Sequence, residues 1–215
     1  MTIETNGIRI VAVRGSVRPG NFTAKALDLV VDELHKNPEI DVQVVDPATL
    51  NLRPPGTGED DDEAIEEFQE LLRSATGVVL STPEYHGSYS SVIKLVIENL
   101  GFPSGLSGKP VALLGVAAGQ IGAIKALEHL RSVCSHVGSI VLPGPVSVAG
   151  VQDLFDAAGN CLDEDVEERI RGLGTGLLHY IEDTICPRMC LETMVREGAT
   201  PYTPISLTLG AHRGF

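Results

Sequence analysis

The sequence predicts an α/β fold: a five-stranded parallel sheet with helices on both faces. Short apolar, β-branched runs recur along the chain, and each is followed by a segment whose apolar residues return at helical spacing. The joins between them are short, and the least ordinary residues gather at three of those joins.

The first run, "IRIVAV", reads as a strand covered on both faces. "TAKALDLVVDELHKN" follows, with Ala24, Leu27, Val31 and Leu34 on one helical face and Asn37-Pro38 as its stop. "DVQVVD" is a second strand, and "PATLNLRPPGTG" a turn-rich loop. In "EDDDEAIEEFQELLRSA" the apolar face is Ile65, Phe68, Leu71 and Leu72, and the acidic run from Glu59 to Glu63 reads as a solvated helix start complementing the helix dipole.

"GVVLST" is a third strand and "SSVIKLVIENL" a helix ending near Gly101. "KPVALLGV" is a fourth strand, and "GAIKALEHLRSVCSHVG" a helix turning Ile124, Leu127, Leu130 and Val133 inward. "SIVLP" is a fifth strand, and "DEDVEERIRGLGTGLLHYIEDT" a last helix weakened by internal glycines. Beyond Thr184 the periodicity fades, so residues 1–184 are expected to form the domain and residues 185–215 a tail without a domain of its own.

The formal charge of −13 excludes a general nucleic-acid or anionic-membrane surface. The N-terminus lacks a signal-peptide pattern, and no apolar run is long enough for membrane insertion. Four scattered cysteines, Cys134, Cys161, Cys186 and Cys190, fit reduced thiols in the cytoplasm. "CPRMC" brings two of them close together, but no His–Cys set completes a zinc site.

In a sheet ordered 2-1-3-4-5 a ligand sits beyond the carboxyl ends of the strands, where the order reverses between strands one and three. The loops to inspect follow Val13, Ser81 and Gly115. The first, "RGSVRPGNFT", holds Gly15 and Gly20, which allow close backbone approach, and Ser16, Asn21 and Thr23 beside a helix N-terminus that favours an anion. Arg18 adds a charged donor, with Arg14 as a further candidate. An ordinary turn capped at Asn21 or Thr23 explains this loop equally well. It carries neither G-x-G-x-x-G nor a P-loop lysine.

The stretch is similar to the G-S-x-R-x-x-S-x-N/T signature of the NAD(P)H-dependent FMN reductase family, whose fold is a flavodoxin-like three-layer sandwich. Gly15, Ser16, Arg18 and Thr23 fall on its positions, and Asn21 stands where that pattern usually has Ser. The second loop, "STPEYHGSYSSVIK", resembles the family's T-P-E-Y-N/H segment, with His86 where many relatives have Asn and Leu95 where Asn is common after Lys94. The resemblance puts Pro83, Glu84, Tyr85, His86 and Gly87 at the flavin ring. It also matches "GVAAGQIG" to the small-residue loop after strand four, so that Ala117, Ala118, Gly119, Gln120 and Gly122 bring backbone to the ring.

The resemblance covers about residues 8 to 150. It implies FMN as cofactor and NADPH or NADH as hydride donor. Electrons would then pass to free flavin, a quinone or another small-molecule electron acceptor. No side chain is needed as a catalytic acid, base or nucleophile, and no metal is expected. The family also implies a homodimer or homotetramer, with the helix from Ser91 to Leu100 as one side of the contact. Two alternatives remain: a flavodoxin-type electron carrier without a nicotinamide site, and a non-catalytic binding module. A nucleophilic hydrolase is disfavoured because no Gly-x-Ser-x-Gly elbow is present.

Overall fold

The computed structural model describes residues 7–57 and 63–197, and Glu59 to Asp62 of the acidic run lie outside them. Two compact units meet between Leu178 and His179. The first unit is the sheet with its helices. Its strands are β1 (Arg9–Val13), β2 (Asp41–Val45), β3 (Gly77–Pro83), β4 (Pro110–Val116), β5 (Ile140–Val141) and β6 (Val146–Val148). The order is β2-β1-β3-β4-β5, all parallel, with β6 also paired to β4.

Every residue of β3 and β4 is buried, as continuous apolar runs between two helical layers require. Successive side chains leave a strand on opposite faces. Val11, Val13, Val78, Leu80, Val111 and Leu113 pack in one cluster with side chains from α2 (Glu63–Ser74), α3 (Ser91–Glu98) and α4 (Ile124–His136). Cys134 of α4 is in this cluster, and burial pushes its thiol up to about 12. On the other side of the sheet lie α1 (Phe22–His35) and the start of α5 (Glu164–Tyr180). Gly174 lets these two approach closely, since a Cβ there would stand 3.1 Å from Val30 and 3.2 Å from Leu34.

Three expectations change in the structure. The fifth strand is shorter than "SIVLP" and a sixth follows it: β5 pairs only at Ile140 and Val141, the chain leaves the sheet at Pro143-Gly144-Pro145, and β6 returns beside Leu114–Val116. Two prolines within three residues remove the ladder donors that a continuous strand would need. Ile124 is 48% exposed rather than inward, because it opens the first turn of α4, whereas Leu127 and Leu130 are buried.

The third change lies in the second unit. Within the described residues the chain stays helical past Thr184: a wider π-type stretch at Ile181–Ile185 leads into α6 (Cys186–Arg196). Met, Leu, Glu and Arg favour a helix, and Pro187 stands in the first turn of α6, where proline is tolerated. Among the described residues no helix is long and apolar enough to cross a membrane.

Candidate functional site

β1, β3 and β4 end side by side, so their three following loops meet at the point where the strand order reverses. Hydroxyl groups lace the first two loops together. The Ser81 hydroxyl donates to the Val13 carbonyl (2.8 Å) and accepts from the Gly15 N–H (3.2 Å). The Ser90 hydroxyl donates to the Gly15 carbonyl (2.6 Å) while accepting from Ile93 N–H as the N-cap of α3. Thr82 Oγ1 accepts from the Ser90 N–H at 3.0 Å. Gly15 is pressed against β3: a Cβ would sit 2.8 Å from Thr82 Cα and overlap the Ser81 carbonyl.

The tip of loop one turns through Arg18, Pro19 and Gly20 to Asn21, the N-cap of α1. The Asn21 side chain is spent within the loop: its oxygen accepts from Ala24 N–H (2.8 Å), and its amide donates to Arg18 O (2.7 Å) and Ser16 O (3.4 Å). Ser16 is buried, and its hydroxyl accepts from Arg18 N–H (3.4 Å). Among the described residues the amides of Phe22 and Thr23, the Thr23 hydroxyl and the Arg18 guanidinium find no hydrogen-bonding partner. Arg14 differs. It is paired with Asp28 and Asp46 at 3.2 Å each, so it is a strut between β1, α1 and the end of β2 rather than a donor to a ligand.

Loop two is a tight hairpin. Tyr85 and Ser88 exchange both backbone hydrogen bonds (2.9 and 3.1 Å), and His86 and Gly87 take positive φ of 51° and 76° between them. Glu84 reaches across to α4, where its Oε2 accepts from the Ala126 N–H at 3.1 Å. α4 has no side-chain cap of its own at Ala123, so this carboxylate satisfies one orphan donor and the positive end of the helix. Ser88 Oγ and His129 Nδ1, 3.1 Å apart, tie the hairpin to the same helix. We expect Glu84→Ala to destabilise the fold by about 1 kcal/mol. Glu84→Gln keeps an acceptor and should lose less, which a pair of urea-unfolding midpoints would show; equal losses would refute the capping role.

Loop three is held by the strand that returns. Ala117 N–H donates to Val148 O (2.9 Å), Val151 N–H to Ala117 O (3.1 Å), and Gly150 N–H to Gly119 O (3.2 Å). Gly122, at φ 78°, clears the Ser147 hydroxyl, which accepts from Ala123 N–H (2.9 Å).

Between the loops lies a cleft of about 300 Å³. From the residues expected at the site it takes Arg18, Asn21, Thr23, Pro83, Glu84, Tyr85, Ala117 and Ala118 as lining. Gly15, Ser16, His86, Gly87, Gly119, Gln120 and Gly122 are not in its wall. Gly15 and Ser16 are buried, and His86 is exposed at the hairpin tip. Phe22, Val116, Val151 and Gln152 line it without having been singled out. The last two follow β6, which lies beyond the fifth strand expected at "SIVLP"; Gly150, at φ 57°, marks the turn that brings them in.

The donor set suits a phosphate. Two unpaired amides at a helix N-terminus, a hydroxyl and an uncommitted guanidinium meet in a chain whose net charge is −13. Pro83, Tyr85, Val116, Ala117 and Val151 add an apolar stretch of wall beside Glu84 and Gln152, which suits a flat aromatic ring.

Comparison with known proteins identifies the family. The profile of the NADPH-dependent FMN reductase family matches residues 8–153. The chain is 30% identical over 179 residues to an NAD(P)H-dependent FMN reductase of Pseudomonas aeruginosa, covering 78% of this chain and 91% of the relative. It is 29% identical over 168 residues to a 2-hydroxy-1,4-benzoquinone reductase of Burkholderia, covering 76% and 91%. The flavoenzyme NAD(P)H:(acceptor) oxidoreductase FerB of Paracoccus denitrificans superposes with a TM-score of 0.67 at 25% identity, over 82% of this chain and 98% of that one. With a doubly wound sheet, a cleft at its switch point and a match running from β1 through that cleft, the chain belongs to the NADPH-dependent FMN reductase family.

Proposed function

We propose that the cleft binds FMN with its phosphate on loop one, and that the protein reduces it with NADPH or NADH for delivery to a small acceptor such as free flavin or a quinone. The observation that carries this is the unpaired donor set of Arg18, Phe22 and Thr23 beside an apolar wall. FMN, when bound, would supply the redox chemistry. The chain's own residues position and shield. Arg18 and the α1 amides would hold the phosphate, Thr23 would donate its hydroxyl, and Pro83, Ala117 and Val151 would flank the ring. Glu84 takes no part in proton transfer in this reading; its carboxylate holds α4 and loop two in register.

The lip of the cleft also bears on assembly. Tyr85, Ile121 and Ile124 are 42%, 79% and 48% exposed around loops two and three, and Val92 and Leu95 on α3 are only half-buried. We read these as the contact of a homodimer or homotetramer, and sedimentation of the purified protein measures it directly. Four free thiols suit the reducing cytoplasm, and residues 1–184 serve as the FMN-binding domain.

The test is NADH and NADPH oxidation by the purified chain with and without added FMN. Turnover that depends on FMN is expected with at least one donor. Quenching of FMN fluorescence without turnover would overturn the reductase reading in favour of an electron carrier, and neither signal would overturn both.

A further inference from the structure

More than half of the chain's sulfur stands on one short helix. The sequence holds four cysteines and three methionines, and Cys186, Met189, Cys190 and Met194 fall within nine positions of α6. Residues three or four apart on an α-helix share a face. Cys186, Cys190 and Met194 therefore follow one another down a single stripe, with Met189 beside it. None is fully buried among the described residues: Met189 is 57% and Met194 43% exposed, Cys190 is exposed, and Cys186 is half-buried. The charged pair of this helix, Arg188 and Glu192, is satisfied with itself at 2.9 Å.

The two thiols are free. The Cys186 thiol is raised above its ordinary value by burial first, then by Cys190 and Glu182. They are poorly placed to bond to each other. Cβ atoms one helical turn apart stand about 5–6 Å from one another, beyond the about 3.5–4.5 Å of a disulfide. An ion between them removes that difficulty, because each metal–thiolate bond spans about 2.3 Å. Among the described residues no three His, Cys, Asp or Glu side chains gather for a harder ion, whereas thiolate with thioether is the donor set that selects copper(I).

We propose that Cys186 and Cys190, flanked by Met189 and Met194, form a surface site for one soft monovalent cation, copper(I) or silver(I). Each thiol releases its proton, the two thiolates bind the ion, and a methionine thioether offers a third ligand. No electron is transferred, and the site stands apart from any role of the cleft in flavin chemistry.

Copper(I) is titrated anaerobically into the full-length reduced protein against bathocuproine disulfonate, with native mass spectrometry as a count. One ion per chain withheld from the chelator is expected. Cys186→Ser with Cys190→Ser should lose it, Met189→Leu with Met194→Leu should weaken it, and Cys134→Ser with Cys161→Ser should keep it. Bound silver(I) should also protect Cys186 and Cys190 of the unaltered protein, but not Cys161, from maleimide. A wild-type chain that surrenders all its copper, a double-serine variant that holds it equally, or unprotected thiols would each overturn the proposal.

Discussion

Gly15→Ala is expected to destabilise the protein by about 3 kcal/mol or more, the range of severe overpacking. The added carbon would overlap the Ser81 carbonyl and lie 2.7 Å from its carbon, both backbone atoms of a fully buried central strand. Neither side can yield cheaply. Moving the loop away breaks the Gly15 N–H bond to Ser81 and the Ser90 bond to the Gly15 carbonyl. Gly20→Ala makes the comparison, for Gly20 has a positive φ of 64° but open space around its missing Cβ. Strain of that kind amounts to about 1–2 kcal/mol. Urea unfolding of the two variants should therefore separate them clearly, and equal midpoints would show that the close approach to β3 is not tight.

Arg18→Ala should weaken FMN by about tenfold to a hundredfold while leaving riboflavin nearly unchanged. The guanidinium lines the cleft and has no partner within the described protein, so its removal exposes no other charge and breaks no internal bond. A charge-assisted hydrogen bond to phosphate contributes about 1.5–3 kcal/mol, which converts to that range of affinity. Only FMN carries the phosphate, so the two flavins separate the loop's role from that of the ring pocket. Fluorescence titration with both ligands decides it; a matching loss for riboflavin would remove the phosphate from loop one.

Much of this was legible because it is local. The apolar runs of β1, β3 and β4 and the faces of α1 and α2 declare themselves within a few residues, and the three loops stand out by the glycine, proline and hydroxyl residues they concentrate. What was not legible depends on partners far along the chain. Glu84 looks like a site residue in isolation; its engagement with Ala126 appears only once loop two and α4 are adjacent. Arg14 looks like a free cation until Asp28 and Asp46 are brought beside it. Val151 and Gln152 reach the cleft only because β6 rejoins β4 after the break at Pro143-Gly144-Pro145. α6 was hidden by Pro187, which weakens a helix in its middle but not in its first turn.

The bonds that clasp Gly15 on both sides bear on how tightly a ligand can be held. A residue tied through its N–H to Ser81 and through its carbonyl to Ser90, and so held in both flanking peptide units, has little motion left to surrender. Association usually forfeits part of its gross energy to immobilising side chains and loops, about 0.5–1.5 kcal/mol for each flexible group. The root of loop one is already immobilised by folding, so contacts made above it are realised as affinity with little such deduction. Loosening Ser81 or Ser90 would return that entropy to the loop, and the penalty would surface as weaker binding even though neither hydroxyl lines the cleft.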